Sequence, residues 1–278
     1  MSTDLNYEKG KYVEYKEFVE SRRVDDGTYI FVNYQYDEEF LSQIDKIDKK
    51  TFFIIFICKE YYNYKSTKIK DIDRKLRPFW FPFKKDKAKY RHIPLFMIIE
   101  LCRLIKQYKG IKLKVIASRE LLIVATCYIN QIFDSTIEIN NPTPTLAPLI
   151  SKKSIKTIKE ILWGENFSSY TFFDLDNIQR INYDELHQSA QHIFVRNLKA
   201  RDPNIGKMHM GKVIEVPTVH DSADIVIIVM TTFLATHRDK SAHINVKSKD
   251  KIFEKLKRYI SIDKKSNKNI KIINSSSN

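Results

Sequence analysis

The feature that most constrains this chain is an internal repeat. Residues 29–34 (Tyr-Ile-Phe-Val-Asn-Tyr), an apolar run at 52–57, a helix-like stretch at 95–108 and the segment 113–120 follow one another in the first half. The second half answers in the same order with 170–175 (Tyr-Thr-Phe-Phe-Asp-Leu), 192–195, 224–237 and 244–250. Each series closes on another helix-like segment, through Cys-Tyr-Ile at 127–129 and Arg-Tyr-Ile at 258–260. Self-similarity of this kind decides the architecture before any motif is weighed. Short apolar runs bounded by polar residues, alternating with helix-length segments, are the pattern of βαβ units around a parallel sheet. The sequence therefore predicts an α/β protein made of two tandem three-layer units with parallel central sheets.

Proline density places the boundary. Residues 140–148 carry Pro142, Pro144 and Pro148, which disfavour both a helix interior and a central strand. The expected division is a first unit at 1–140, a linker at 141–168, a second unit at 169–262 and a disordered basic tail at 263–278, which is Lys-, Asn- and Ser-rich with little to bury. Within the first unit, residues 59–91 stand out as an insertion with twelve Lys or Arg against four acids. Tyr61, Tyr62, Tyr64, Phe79, Trp80, Phe81, Phe83 and Tyr90 are interleaved with these charges. Two readings fit: a single-strand nucleic-acid surface with cations on phosphates and rings on bases, or a basic loop pinned to the core by its aromatics.

With 48 Lys and Arg against 34 Asp and Glu the chain carries +14, a field that favours polyanions. The longest apolar stretches, 51–58 and 225–235, fall short of the roughly 20 residues that cross a bilayer. Residues 1–10 are polar and acidic, unlike a secretory signal or a transit peptide. Cys58, Cys102 and Cys127 lie in apolar runs and form an odd set, which suits a reducing compartment. A cytoplasmic location without a membrane span is expected.

In open parallel sheets ligands bind beyond the carboxyl ends of the strands, and in the second half acids fall there. Asp174 and Asp176 follow the run 170–173, Asp224 opens the stretch 224–237, and Asp250 follows 244–246. Three carboxylates converging on one edge repel one another unless a hard cation lies between them, and Mg²⁺ or Mn²⁺ prefers such oxygen ligands. Each aspartate also has a plainer reading as a helix cap or loop residue. The glycines are scattered singly, so no phosphate loop is present, and no cysteine stands at zinc-like spacing from His187, His192, His237 or His243.

Residues 172–177, Phe-Phe-Asp-Leu-Asp-Asn, resemble the opening strand of the PIN-like nuclease superfamily, and the Asp174 to Asn177 spacing is similar to its NYN branch. Ser222-Ala-Asp-Ile resembles the second acidic motif of that branch, and Val246-Lys-Ser-Lys-Asp-Lys-Ile-Phe its Ser-x-Asp-x-Asp-Phe motif. The resemblance covers about 169–260. It implies a PIN-like, Rossmannoid unit in which Asp174, Asp224 and Asp250, with Asp176 as a further candidate, hold Mg²⁺ or Mn²⁺ for phosphodiester hydrolysis in RNA. Asn177 and Ser248 would support them. Ile252 occupies the place of one expected acid, for which Asp176, Asp221 and Glu215 are the candidate substitutes. In the first half Asn33 matches Asp174 and Leu95 matches Asp224, and only Glu120 faces Asp250, so that copy is expected to bind no metal.

Two functions compete on this reading. One is a metal-dependent endoribonuclease whose degenerate first unit serves as a substrate platform or as a surface for a homodimer or protein partner. The other is a catalytically inactive PIN-like RNA-binding or scaffold protein. For single-stranded RNA the expected contacts are Lys84, Lys85, Lys87, Lys89, Lys199, Arg201, Lys249 and Lys251.

Overall fold

The computed structural model describes residues 2–22, 27–34, 49–58, 67–83, 92–108, 110–117, 120–140, 149–178, 181, 186, 189–198, 211–219, 221–237, 242–263 and 269–274. In the first half these form helix α1 (Ser2–Ser21), strands β1 (Thr28–Asn33) and β2 (Thr51–Cys58), α2 (Thr67–Leu76), β3 (Phe79–Phe83), α3 (His92–Gln107), β4 (Lys112–Ile116), α4 (Glu120–Phe133) and β5 (Glu138–Asn140). The second half contributes α5 (Lys152–Trp163), β6 (Ser169–Asp174), β7 (Ala190–Asn197), β8 (Lys212–Val216), α6 (Ser222–His237), β9 (His243–Ser248), α7 (Ile252–Ile260) and β10 (Ile270–Asn274).

The strands build two five-stranded sheets ordered β3-β2-β1-β4-β5 and β10-β9-β6-β7-β8. Every pairing is parallel. Read from its own first strand, each sheet has the same order, so β1 corresponds to β6 and β4 to β9. Helices follow the same correspondence, with α1 matching α5, α3 matching α6 and α4 matching α7. The protein is thus an α/β duplication of two all-parallel, helix-flanked units, as the repeat predicts.

The repeat is longer than the sequence suggests. The stretch 141–168, expected as a linker, contains α5, whose Ser154, Ile158, Ile161 and Leu162 are buried. It is the leading helix of the second unit, the counterpart of α1. Likewise, the expected tail contains β10, which pairs in register with β9 from Ile270 opposite Ile244 to Asn274 opposite Ser248. The insertion at 59–91 contains α2 and β3, both integral to the first unit. Phe81 and Phe83 are buried, stacked on each other at 4.9 Å and packed on Phe96, and Trp80 gives its ring N–H to Asp73 at 2.6 Å. These rings are core, not a base-stacking surface. Tyr61, Tyr62, Tyr64, Tyr90, Lys84, Lys85, Lys87 and Lys89 lie outside the described residues. Pro82 is tolerated in β3 because this is an edge strand, where a missing N–H costs no interior ladder bond.

Alternation along the strands sorts side chains onto two faces. Phe31, Ile54, Phe56 and Val115 of the first sheet share one continuous core with Phe172, Val195, Ile214 and Val246 of the second, with α3, α4, α6 and α7 between them. The two units are therefore packed back to back through their helices. The outer face of the first sheet, Ile30, Val32, Phe53 and Ile55, is closed by Ile69, Ile72 and Leu76 of α2. No described helix is long and apolar enough to cross a membrane.

Polar groups also link the units. Arg103 of α3 is buried beside Glu100 and donates to the Tyr12 hydroxyl at 3.1 Å and to the Ile260 carbonyl at 2.8 Å. It thereby caps the carboxyl end of α7 from the other unit, where a cation is favoured by the exposed carbonyls.

Candidate metal and nucleic-acid site

The central strand of the second sheet carries Asp174 at its carboxyl end. Tyr170, Phe172 and Phe173 bury the strand, and Asp174 continues it with no solvent exposure. The chain then turns at once, since the amides of Asn177 and Ile178 both bond to the Asp174 carbonyl at 3.2 and 3.0 Å. That turn returns the Asn177 side chain to the Asp174 carboxylate, which accepts its amide N–H at 2.7 Å on Oδ2. The neighbouring strand supplies the second donor. Phe173 pairs with Lys247, so Ser248 lies beside Asp174 and gives its hydroxyl proton to the same oxygen at 2.6 Å.

Oδ1 of Asp174, by contrast, is buried and accepts no hydrogen bond. Burial raises the Asp174 carboxyl above its usual range, the Ser248 and Asn177 donors oppose that rise, repulsion from the Asp176 carboxylate adds to it, and the nearby Asp176 amide lowers it slightly without making a well-formed bond to Oδ1. Asp176 is exposed by area, but its carboxylate turns inward to accept from the Asn197 amide at 2.9 Å, and desolvation raises it also. One oxygen of Asp174 is therefore pinned and the other left open, the arrangement in which hydrogen-bonded carboxylates present a ligand atom.

The other expected acids share this edge of the sheet. Asp250 is half-buried. Its amide bonds to Ser248 Oγ at 3.0 Å, and its Oδ1 accepts from the Ile252 amide at 2.9 Å, opening α7. Ser248 is thus a bridge from Asp174 to the start of α7. Asp224 is buried in the first turn of α6, and Ser222 at the head of that helix shares a hydrogen bond of 2.9 Å with Tyr128 of the first unit. Sequence reasoning missed this contact, because nothing local marks two residues 94 positions apart as partners. Among the described residues, no three His, Cys, Asp or Glu side chains are grouped to hold a metal ion. Asp174, Asp224 and Asp250 therefore do not close into the three-carboxylate cage expected from their order.

Of the candidate substitutes, Glu215 is engaged with Arg196 at 2.5 Å and Asp221 adopts a left-handed backbone with φ of 62°. Lys249 and Lys251 are exposed near the edge, and Lys247 rests over the Phe173 ring at 5.3 Å. Lys199 and Arg201 lie outside the described residues.

A divalent ion held here would have to be one that keeps much of its own water. Mg²⁺ commonly keeps several waters and takes one or two carboxylates together with substrate phosphate, whereas Ca²⁺ needs six to eight oxygens. An orphaned carboxylate oxygen with a second acid nearby meets the first requirement and not the second.

The equivalent place in the first unit is different in kind. Asn33 ends β1 with 1 % exposure, and neither its Oδ1 nor its Nδ2 has a partner. Leu95 is buried and Glu120 is exposed. A buried amide without partners costs about 1–3 kcal/mol. Asn33→Leu, which keeps the branched side-chain skeleton and removes both polar groups at the cost of a somewhat larger volume, is therefore expected to stabilise the protein by up to about that amount, read as a higher midpoint in calorimetry. No family profile, curated protein or solved structure matches this chain.

Proposed function

We propose that the second unit is a divalent-metal-dependent endoribonuclease of PIN-like type, with the first unit as a substrate platform. The observation that carries this reading is Asp174, whose Oδ2 is fixed by Ser248 and Asn177 while its buried Oδ1 is left open at the carboxyl edge of the central strand. Asp174 would be the principal ligand, with Asp176, Asp224 or Asp250 contributing directly or through water. A bound Mg²⁺ or Mn²⁺ supplies Lewis-acid stabilisation of the phosphate and a more acidic water. The protein's own share is to hold the Asp174 carboxylate in one rotamer, through Ser248 and Asn177, and to keep that oxygen away from bulk water. Net charge of +14 supports a polyanionic substrate, and the motif resemblance supports RNA.

A sparse ligand set makes metal and substrate interdependent. Mn²⁺ titrated by calorimetry is expected to bind weakly to the protein alone and more than tenfold tighter in the presence of a non-cleavable phosphorothioate RNA, because phosphate oxygens complete the shell. Cleavage of a labelled single-stranded RNA should then require Mg²⁺ or Mn²⁺ and stop with chelator. A non-catalytic RNA scaffold is the second reading. It is favoured by the use of the Asp250 carboxylate to open α7 and by the absence of a three-acid group among the described residues. RNA binding with no cleavage and no metal dependence would establish it in place of the first.

A further inference from the structure

The α5 helix carries a feature that the site above does not use. Lys152, Lys156, Lys159 and Trp163 are spaced by four, three and four residues, so at 3.6 residues per turn they form one stripe along the helix. The three lysines of the stripe line an open groove of about 490 Å³ between α4 and α5, floored by Gln131, Ile150 and Ile155, and Trp163 follows one helical turn beyond Lys159. The acids at the groove are matched by the protein's own cations: Asp134 pairs with Lys159 at 2.6 Å and Glu160 with Lys212 at 3.3 Å. Lys152 and Lys156 are exposed and make no ion pair among the described residues, so the groove has a net positive charge.

Trp163 ends the stripe. Its ring is set against Phe133 at 5.9 Å and Phe233 at 5.2 Å, with the Lys106 ammonium 4.9 Å from its centroid. Yet 45 % of the residue remains exposed. An indole held by its neighbours yet nearly half exposed offers ring surface for stacking, and the cation beside it adds attraction for phosphate.

We propose that this groove docks single-stranded RNA, with Lys152 and Lys156 on successive phosphates and Trp163 stacked on a base. The proposal rests on the RNA reading of the second unit and gives that reading a binding surface, contributed by α4 of the first unit and α5 of the second. It differs from the basic residues expected from sequence, none of which lies on these helices. A row of lysines that ends in a held, partly exposed indole fits phosphates beside an unpaired base better than it fits an acidic peptide, which offers carboxylates but no ring to stack.

The test uses the full chain and a fluorescein-labelled oligouridylate without added metal. Wild type is expected to bind with steep salt dependence, and RNA should quench the exposed Trp163, whereas Trp80 is buried. Lys152→Glu with Lys156→Glu is expected to weaken binding about tenfold and to flatten the slope of log affinity against log salt by roughly 1.4, from about 0.7 per phosphate contact on a single strand. Trp163→Leu should weaken binding about tenfold and remove the quenching. Should that variant lose thermal stability, the double lysine variant, altered only at the surface, decides alone. Wild-type binding that both variants retain overturns the groove and leaves the RNA reading standing. No binding by wild type overturns both. Polyglutamate competing as well as RNA while Trp163 fluorescence stays constant would assign the groove to acidic protein and also overturn the proposal.

Discussion

Arg103→Ala is expected to lower the thermal unfolding midpoint by roughly 10 °C, the largest stability effect of any single substitution away from the apolar core. The side chains of Arg103 and Glu100 are 5 and 2 % exposed. Removing the guanidinium leaves a buried carboxylate whose pKa burial already raises despite the Arg103 charge beside it. Breaking one partner of such a pair costs about 3–5 kcal/mol, because the remaining charge is unpaired. Arg103 also serves Tyr12 of α1 and the last carbonyl of α7, so its loss loosens three helices from two units at once. The companion double variant Arg103→Leu with Glu100→Leu should recover most of the loss, since apolar residues of similar size replace a buried pair at little cost. Calorimetry of the three proteins checks this. A double variant as unstable as Arg103→Ala would show that the cap on α7, and not the stranded charge, dominates.

The unit-to-unit contacts explain which parts of the structure a linear reading reaches. The strongly apolar strands, such as β2 with its unbroken run from Phe52 to Ile57, declare themselves, and the repeat fixes their parallel order. The missed elements are those whose apolar side chains are diluted by charge. In α5, Ile155, Ile158 and Leu162 recur at helical spacing, but lysines and the preceding prolines give the segment the composition of a linker. In α2, Ile69, Ile72 and Leu76 form an equally thin stripe, sufficient because it covers only the outer face of the first sheet. Prolines 78 and 82 mark β3 as non-strand, a signal that fails at a sheet edge.

The site divides in the same way. Asp174 and Asn177 are three residues apart, so a single turn joins them and the spacing alone reveals the pair. The bond from Ser248 to Asp174 spans 74 positions and depends on β6 and β9 being neighbours, which the motif order suggests but does not dictate. Asp250 illustrates the opposite failure. Its place in an acidic motif points to a ligand, while the amide of Ile252, two residues on, takes one of its oxygens as a turn-former.

Asp174→Asn is expected to abolish metal-dependent RNA cleavage without weakening the fold, and the two readouts together separate function from structure. Loss of an outer partner of a metal ligand costs roughly 10–100-fold, so Ser248→Ala should fall in that range and Asp174→Asn below it. The stability change has the opposite sign. Because burial raises the Asp174 carboxyl, the folded state holds its proton more tightly than the unfolded chain does. Stability from this group therefore falls as pH rises from the ordinary carboxylate range through the raised value. The amide oxygen of Asn at position 174 can still accept from Ser248 and Asn177, and its NH₂ group replaces an oxygen that already lacks a partner, so removal of the buried charge decides the sign. The variant should therefore unfold at the same or a higher temperature than wild type in metal-free buffer. Added Mn²⁺ with RNA should raise the midpoint of wild type by mass action and leave that of the variant unchanged. Cleavage retained by Asp174→Asn, or a variant destabilised in metal-free buffer, would mark Asp174 as a structural residue and transfer the weight to the scaffold reading.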